Sequence, residues 1–535
     1  MLRSSLTFIL LAATLPLLAQ RSPDSESVRQ PDSRHLRTAV TKLLGWKITA
    51  TGDPAKVDAA NLAFIEVSNP TPDPSALKKL NLHVSAYRVD SVVGGEEAFR
   101  SAKSLGADTI ITSQAPTSIS ELDKLASDAG INVAITAASG SKGDLKTLLT
   151  SITDASNRIG VSVNSDALPK NALESVPGLK ERLMVLNVRG ASRLSDLLLD
   201  ISRAEPAPEE QPEKCSNCGR PYGGTKPLVV TLDKTDAASL EAFEKALRPA
   251  MGYRVEQITK VLPITSTDRV PAEDKAKIEA ALPREAPVKP KKPRKLLVID
   301  LSPAGGYYHA TVAHANFALG LMAKTGAYEP TFSNDLNNLK WPKIRQYDAV
   351  FLNSVVGEVF PDPDVLNGLI RFVKEGGGVA GIHGSTYASM DLPEYGELMG
   401  AQDGPHHVEK ATVKIDDPNS PVAKSFEGKE FEWTDEFYHF LPTGPLSRDK
   451  VHVLLSIDTA KSDMSRWKGI RPDNDYPVSW IKTYGKGHVF NCALGHTPML
   501  FETPAFATYI LSAIQYVLGD LPADATPSAK LSASR

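Results

Sequence analysis

Gly376-Gly377-Gly378-Val379-Ala380-Gly381-Ile382-His383-Gly384-Ser385 packs a helix end, a strand and a strand-end histidine into one short run. Apolar residues over 364–374 recur at helical spacing, so the triple glycine reads as a helix stop. Val379 to Ile382 then reads as a short buried strand with His383 at its carboxyl end. In an open parallel sheet that end is where ligands bind, because loops meet there in a crevice and backbone N–H groups of the next helix point into it. Gly381 and Gly384 are expected to let the backbone turn sharply around the imidazole.

The same alternation extends in both directions. Leu296-Leu297-Val298-Ile299-Asp300 predicts a buried strand, 311–324 a helix, and 348–355 a further strand. The pattern closes with Gly487-His488-Val489-Phe490-Asn491-Cys492-Ala493-Leu494-Gly495-His496 and a helix over 504–517, which predicts a parallel α/β sheet domain over 295–520. Of the eleven histidines only His35 and His83 precede it. Histidines and carboxylates on separate strand ends can converge in one crevice, a combination that suits proton transfer or a divalent metal such as zinc. His383 and His496, each in a glycine-flanked turn, are the catalytic candidates with Glu436. His309, Tyr307, Asp435, Tyr438, Trp480 and Ser385 are candidate ligand contacts, and the adjacent His406 and His407 candidate metal ligands. His314 and His452 read as surface or core positions, and His439 and His488 as either core or site. The Asp435-Glu436 pair has the alternative of capping a helix or bracing a loop.

Four ordered motifs carry a resemblance: Gly377-Gly378-Val379-Ala380-Gly381-Ile382-His383, Thr434-Asp435-Glu436-Phe437-Tyr438, Pro477-Val478-Ser479-Trp480, and Tyr484-Gly485-Lys486-Gly487-His488-Val489-Phe490 through Gly495-His496-Thr497. Together they resemble the trehalose-utilisation ThuA family, which implies a flavodoxin-like, class I glutamine amidotransferase-like sheet and a small-molecule carbohydrate ligand. On that reading Tyr307, Tyr438 and Trp480 are placed to stack on sugar faces, and the substrate is a sugar or keto-sugar glycoside. True amidotransferases hold a nucleophilic cysteine at the glycine-flanked turn. The imidazole of His383 cannot form the stable thioester, so glutamine hydrolysis is not expected. Two other readings stay open: a non-catalytic carbohydrate-binding or scaffold protein, and a zinc-dependent hydrolase of another small substrate.

The amino-terminal half alternates strand and helix patterns over about 200 residues, with strands predicted at 46–49, 62–67, 82–88, 109–112, 133–136, 159–163, 184–188 and 228–232. Eight such units over 40–251 predict a (β/α)8-like barrel, with an open doubly wound sheet as the rival. Ala102-Lys103-Ser104-Leu105-Gly106-Ala107-Asp108-Thr109-Ile110, Glu121-Leu122-Asp123-Lys124-Leu125-Ala126 and Gly130-Ile131-Asn132-Val133-Ala134-Ile135 are similar to xylose-isomerase-like sugar phosphate isomerase barrels. That family's strand ends carry His, Asp and Glu for a divalent metal. Here the fifth to seventh strands run into Thr136-Ala137-Ala138-Ser139, Asn164-Ser165-Asp166 and Asn187-Val188-Arg189-Gly190, so an inactive barrel is expected. Glu66 and Asp166 are its remaining candidates for an ion.

A chain of 535 residues with 41% hydrophobic residues exceeds one core and suggests two or three domains. A formal net charge of -3 offers no large basic field, so neither nucleic acid nor anionic membrane is an expected partner. Residues 1–19 have the charge and apolar pattern of a cleaved signal peptide, with an uncleaved anchor as the alternative, and predict export to periplasm or medium. Cys215-Ser216-Asn217-Cys218-Gly219 is half of a zinc-knuckle pattern, a local disulfide or an unpaired loop. Residues 252–294, rich in Pro, Lys and Glu, read as a solvated linker with a short helix at 272–282, and 521–535 as a disordered tail.

Overall fold

The computed structural model describes residues 43–533 apart from 61, 93–95, 115–117, 138–141, 191–192, 206–227, 262–263, 303–308, 358, 361, 391 and 403. The expected leader, the Cys215–Cys218 loop and Tyr307 lie outside the described residues.

Strands β1 (Trp46–Thr51), β2 (Phe64–Ser68), β3 (His83–Val89), β4 (Thr109–Thr112), β5 (Asn132–Thr136), β6 (Ile159–Asn164), β7 (Leu183–Val188) and β8 (Leu228–Leu232) pair in chain order. All pairings are parallel, and β1 also pairs with β8, which closes the barrel and removes the open-sheet rival. Ala86, Ile111, Ala134, Met184, Val185 and Val229 cluster apart from the larger core, as inward side chains of a barrel do. Polar inward residues satisfy one another. Glu66, almost wholly buried, accepts from Arg88 Nε at 2.5 Å and from Thr231 Oγ1 at 2.8 Å, and Asn187 donates to Ser162 Oγ at 3.0 Å. Both Glu66 oxygens therefore have partners in the barrel itself, while Asp166 is exposed.

The second half is one nine-stranded sheet. Its strands are β9 (Lys295–Ile299), β10 (Glu329–Phe332), β11 (Ala349–Asn353), β12 (Gly378–Ile382), β13 (His406–Ile415), β14 (Phe431–Tyr438), β15 (His452–Ile457), β16 (Pro477–Tyr484) and β17 (Gly487–Cys492). The spatial order is β10-β9-β11-β12-β17-β16-β15-β13-β14. The first five are parallel, as expected, and β16, β15, β13 and β14 extend the sheet antiparallel, so the sheet as a whole is mixed. The cause is local: Tyr484-Gly485-Lys486-Gly487 is a tight hairpin turn, with Gly485 at φ 62°, and it returns β17 beside β16.

The helix Pro363–Lys374 starts where Asp362 accepts from the Asp364 N–H at 3.0 Å, and it buries Val365, Leu366, Leu369, Phe372 and Val373. Gly377 follows because a Cβ there would stand 2.4 Å from the Phe372 ring. The register then carries β12 between β11 and β17, in the middle of the sheet, with the His383 turn over its carboxyl end.

Residues 264–294, expected as a solvated linker, are bonded onto this domain. The Thr265 N–H donates to Asp300 at 2.8 Å, Val288 N–H to Gln515 at 3.0 Å, and Arg294 pairs with buried Asp520 at 2.6 Å. Near the end of the chain His452 Nδ1 donates to the Thr526 carbonyl at 2.8 Å, and a helix spans Ser528–Ala533. Arg248 and Asp364 form an ion pair between the two halves. Among the described residues no helix is long and apolar enough to cross a membrane.

Candidate metal centre

His383 opens a 3-10 turn, His383–Tyr387, directly after β12. The positive φ that the turn demands falls on His383 itself, at 45°, and not on Gly381 or Gly384. Left-handed backbone in a non-glycine residue costs on the order of 1 kcal/mol, a strain that concentrates at functional sites. The flanking glycines serve close approach instead: a Cβ on Gly384 would lie 2.4 Å from Val356 Cγ2 and 3.3 Å from His309 Cε1.

Four segments bring side chains to this point. His309 precedes the helix Val312–Met322, His496 follows β17, and Glu436 comes from β14. His383 Nε2 lies 2.9 Å from His309 Nε2, 3.3 Å from His496 Nδ1, 3.4 Å from Glu436 Oε2 and 3.3 Å from Tyr438 Oη. Glu436 Oε2 is also 3.4 Å from His496 Nδ1. Since the Ala493 carbonyl, 3.2 Å from His383 Nδ1, can only accept, Nδ1 carries a proton and Nε2 of the neutral ring is a lone pair. That lone pair meets at least three other electron-rich atoms, an arrangement that a shared proton or a cation stabilises.

The charge states agree. Burial, and then the neighbouring His383 and His496, push the His309 pKa down to about 2, so its ring is neutral. Burial favours the protonated Glu436, but the His383 and His496 rings beside it outweigh that and hold the carboxyl well below its usual range. His496 is raised, chiefly by its hydrogen bond to Glu436, against the opposing effect of burial.

The donor set fits a metal. One ligand atom from each of His309, His383, Glu436 and His496 lies within 4.8 Å of all the others. Three of the edges, at 3.3, 3.4 and 3.4 Å, match the roughly 3.3–3.4 Å edge of a tetrahedron with bonds of about 2.0–2.1 Å, the zinc–nitrogen and zinc–oxygen range. Three imidazoles and one carboxylate are also a zinc-type choice of ligands.

Other residues singled out from sequence surround the cluster or lie away from it. The Tyr438 ring stacks on His383 with centroids 5.1 Å apart, and burial raises its hydroxyl pKa well above 10. His406 stands at the edge, Nε2 3.9 Å from Glu436 Oε1 and Nδ1 3.0 Å from the Tyr387 hydroxyl. His407, one residue further along β13, projects to the opposite face and is exposed, so the two adjacent histidines do not share a site. Trp480 is fully buried, donates to the Met399 carbonyl at 2.9 Å and packs on Phe440, behind the Tyr438 ring. Ser385 Oγ lies 2.8 Å from the Leu352 and Ile382 carbonyl oxygens and fixes the turn. Asp435 faces backbone N–H groups. Tyr387, which sequence reasoning missed, packs against Tyr438 and His406 at 4.9 and 5.0 Å. Its only trace was its place at the end of the turn that His383 begins. Elsewhere, His439 bonds Glu409 at 2.7 Å, His314 bonds Asp274 at 3.1 Å, and His488 packs on the Tyr516 ring.

Residues 295–517 match the family model described as ThuA, trehalose utilisation. Among solved structures, a putative ThuA-like protein from Bacteroides uniformis is 17% identical, over 43% of this chain and 93% of that one, with a TM-score of 0.36. One from Parabacteroides merdae is also 17% identical, over 44% and 93%, with a TM-score of 0.36. A cytoplasmic protein from Salmonella typhimurium is 13% identical, over 42% and 98%, with a TM-score of 0.30. No curated protein matches the chain. The carboxyl-terminal half is a ThuA domain, set behind an eight-stranded parallel barrel.

Proposed function

We propose that the ThuA domain binds a divalent metal of zinc type through His309, His383, His496 and Glu436 and uses it to transform a small carbohydrate, such as a sugar or keto-sugar glycoside. The observation that carries this reading is the meeting of three imidazoles and one carboxylate, three of whose edges have the length of tetrahedral coordination. The family description, trehalose utilisation, supports the substrate class. An ion held by these four residues would act as a Lewis acid, taking a ligand oxygen as a fifth donor. The chain's own groups do the remaining work. Glu436, ionised and one-sixth exposed, supplies the negative charge that holds the ion, and the Tyr438 hydroxyl, kept protonated by burial, can donate a hydrogen bond to an oxygen of a ligand entering past His406. In this reading the barrel is a support without isomerase chemistry, since Glu66 is held by Arg88 and Thr231.

Elemental analysis of the purified full chain tests the proposal: about one zinc-type ion per chain is expected, lost in His383→Ala and Glu436→Ala. A screen of glucosides and their oxidised forms then tests the substrate class, with turnover expected only in the metal-loaded protein. A chain that takes up no ion under metal-replete conditions overturns it.

A further inference from the structure

In sheet order β14 lies four strands away from β17, which in a flat sheet would be roughly 19 Å at about 4.8 Å per strand. Yet Glu436 of β14 touches His496, which follows β17. The register explains how. β13 pairs with β15 only over Val413–Ile415, but with β14 from His406 to Val413, so the β13–β14 hairpin runs past β15 as an arm that returns over the strand ends.

Something must hold that arm down. Asp435, fully buried, accepts through Oδ1 from the backbone N–H of His496 at 2.9 Å and of Glu436 at 2.8 Å. Through Oδ2 it accepts from Gly495 N–H and Trp433 Nε1, both at 3.0 Å. One carboxylate thus ties together the two segments that carry Glu436 and His496. All four of these donors are neutral N–H groups, so they leave its negative charge beside the cluster, where it favours a cation.

We infer that Asp435 is a positioning residue for the metal centre: it latches the β13–β14 arm to the loop after β17 and thereby sets Glu436 against His496. The inference rests on the metal reading above, and the experiment separates the two. Full-length protein is stripped with chelator and titrated with cobalt(II), whose visible spectrum reports coordination number. The wild type is expected to bind one cobalt with the intense bands of four- or five-coordination. Asp435→Asn, which keeps the shape but replaces an acceptor oxygen with a donor, is expected to bind 10–100-fold more weakly and with weaker bands, and Glu436→Gln is expected to do the same. A purely structural role would lower melting and leave the affinity and spectrum of the folded fraction unchanged. That result overturns the inference while leaving the metal reading intact. Should Asp435→Asn not fold, Trp433→Phe removes one of the four donors and keeps the carboxylate, and several-fold weaker cobalt binding is expected. Unchanged binding in that variant also overturns the inference. A wild type that binds no cobalt overturns both readings.

Discussion

His309 Nε2 and His383 Nε2 stand 2.9 Å apart although 74 residues separate them in the chain. With His383 Nδ1 committed to the Ala493 carbonyl, the short contact needs a proton from one of the two rings. A metal takes the place of that contact, and His309, already neutral, need only shift its proton from Nε2 to Nδ1. His496, whose pKa the Glu436 carboxylate raises, must give up its proton to bind, so uptake of zinc or cobalt at about pH 6 is expected to release up to about one proton per chain. Calorimetric titration in buffers of different ionisation enthalpy measures it, and a binding heat independent of buffer would contradict the expected exchange.

The metal-free protein should carry the signature of the His496–Glu436 pair in its melting curve. His496 has a raised folded pKa, so its contribution is complete below about 6.5 and is lost as pH rises through the folded value. Glu436 is lowered, so its contribution is present above about 4.5 and is lost as pH falls through the folded value. In chelator, melting is expected to be highest between about pH 5 and 6.5 and to fall on the alkaline side. The alkaline decline should vanish in His496→Ala, and it should reverse with saturating zinc, whose ligands bind deprotonated. Melting scans from about pH 5 to 9 decide it; an alkaline limb identical in wild type and variant counts against the pair.

Backbone strain at His383 gives an inverted substitution order. Glycine ordinarily lowers stability by about 0.5–1 kcal/mol relative to alanine. At φ 45° the order should reverse, because alanine keeps the left-handed penalty while glycine sheds it. His383→Gly is expected to melt at or above His383→Ala, both without bound metal. Clearly higher melting of the alanine variant would mean that the turn relaxes when the imidazole is removed.

Much of this architecture is local and could be read locally. β12, the helix before it and the helix Pro504–Val517 follow from short-range periodicity, and the eight barrel strands from repeated strand–helix alternation. His383 and His496 were legible because each sits in a glycine-flanked turn after a strand. The β13–β14 arm was not, because pairing with an edge strand depends on partners dozens of residues away. Adjacent histidines at 406 and 407 suggested one metal site, whereas strand alternation sends them to opposite faces. Composition marked 252–294 as solvated, and Gln515 and Asp520, more than 220 residues on, bind its backbone all the same. Asp435 was legible as a polar residue near the site but not as a tether, since its donors are mostly main-chain groups invisible in the sequence.

The barrel offers a control that separates support from site. Glu66 Oε1 accepts from Arg88 and Oε2 from Thr231 inside the barrel, with the Glu66 side chain almost wholly buried and that of Arg88 one-third exposed. Glu66→Gln keeps the volume, removes the charge and sets one amide N–H₂ against a donor. Leaving such a buried group mismatched costs about 1–3 kcal/mol, reduced here by the access of Arg88 to water. Melting should fall accordingly. Cobalt affinity and spectrum should not change, because none of the four cluster ligands comes from the barrel. If Glu66→Gln instead weakens cobalt binding while the chain remains folded, the barrel acts on the site, and the hydrophobic core shared between barrel residues such as Leu247 and sheet-domain residues such as Leu366 is the path to examine.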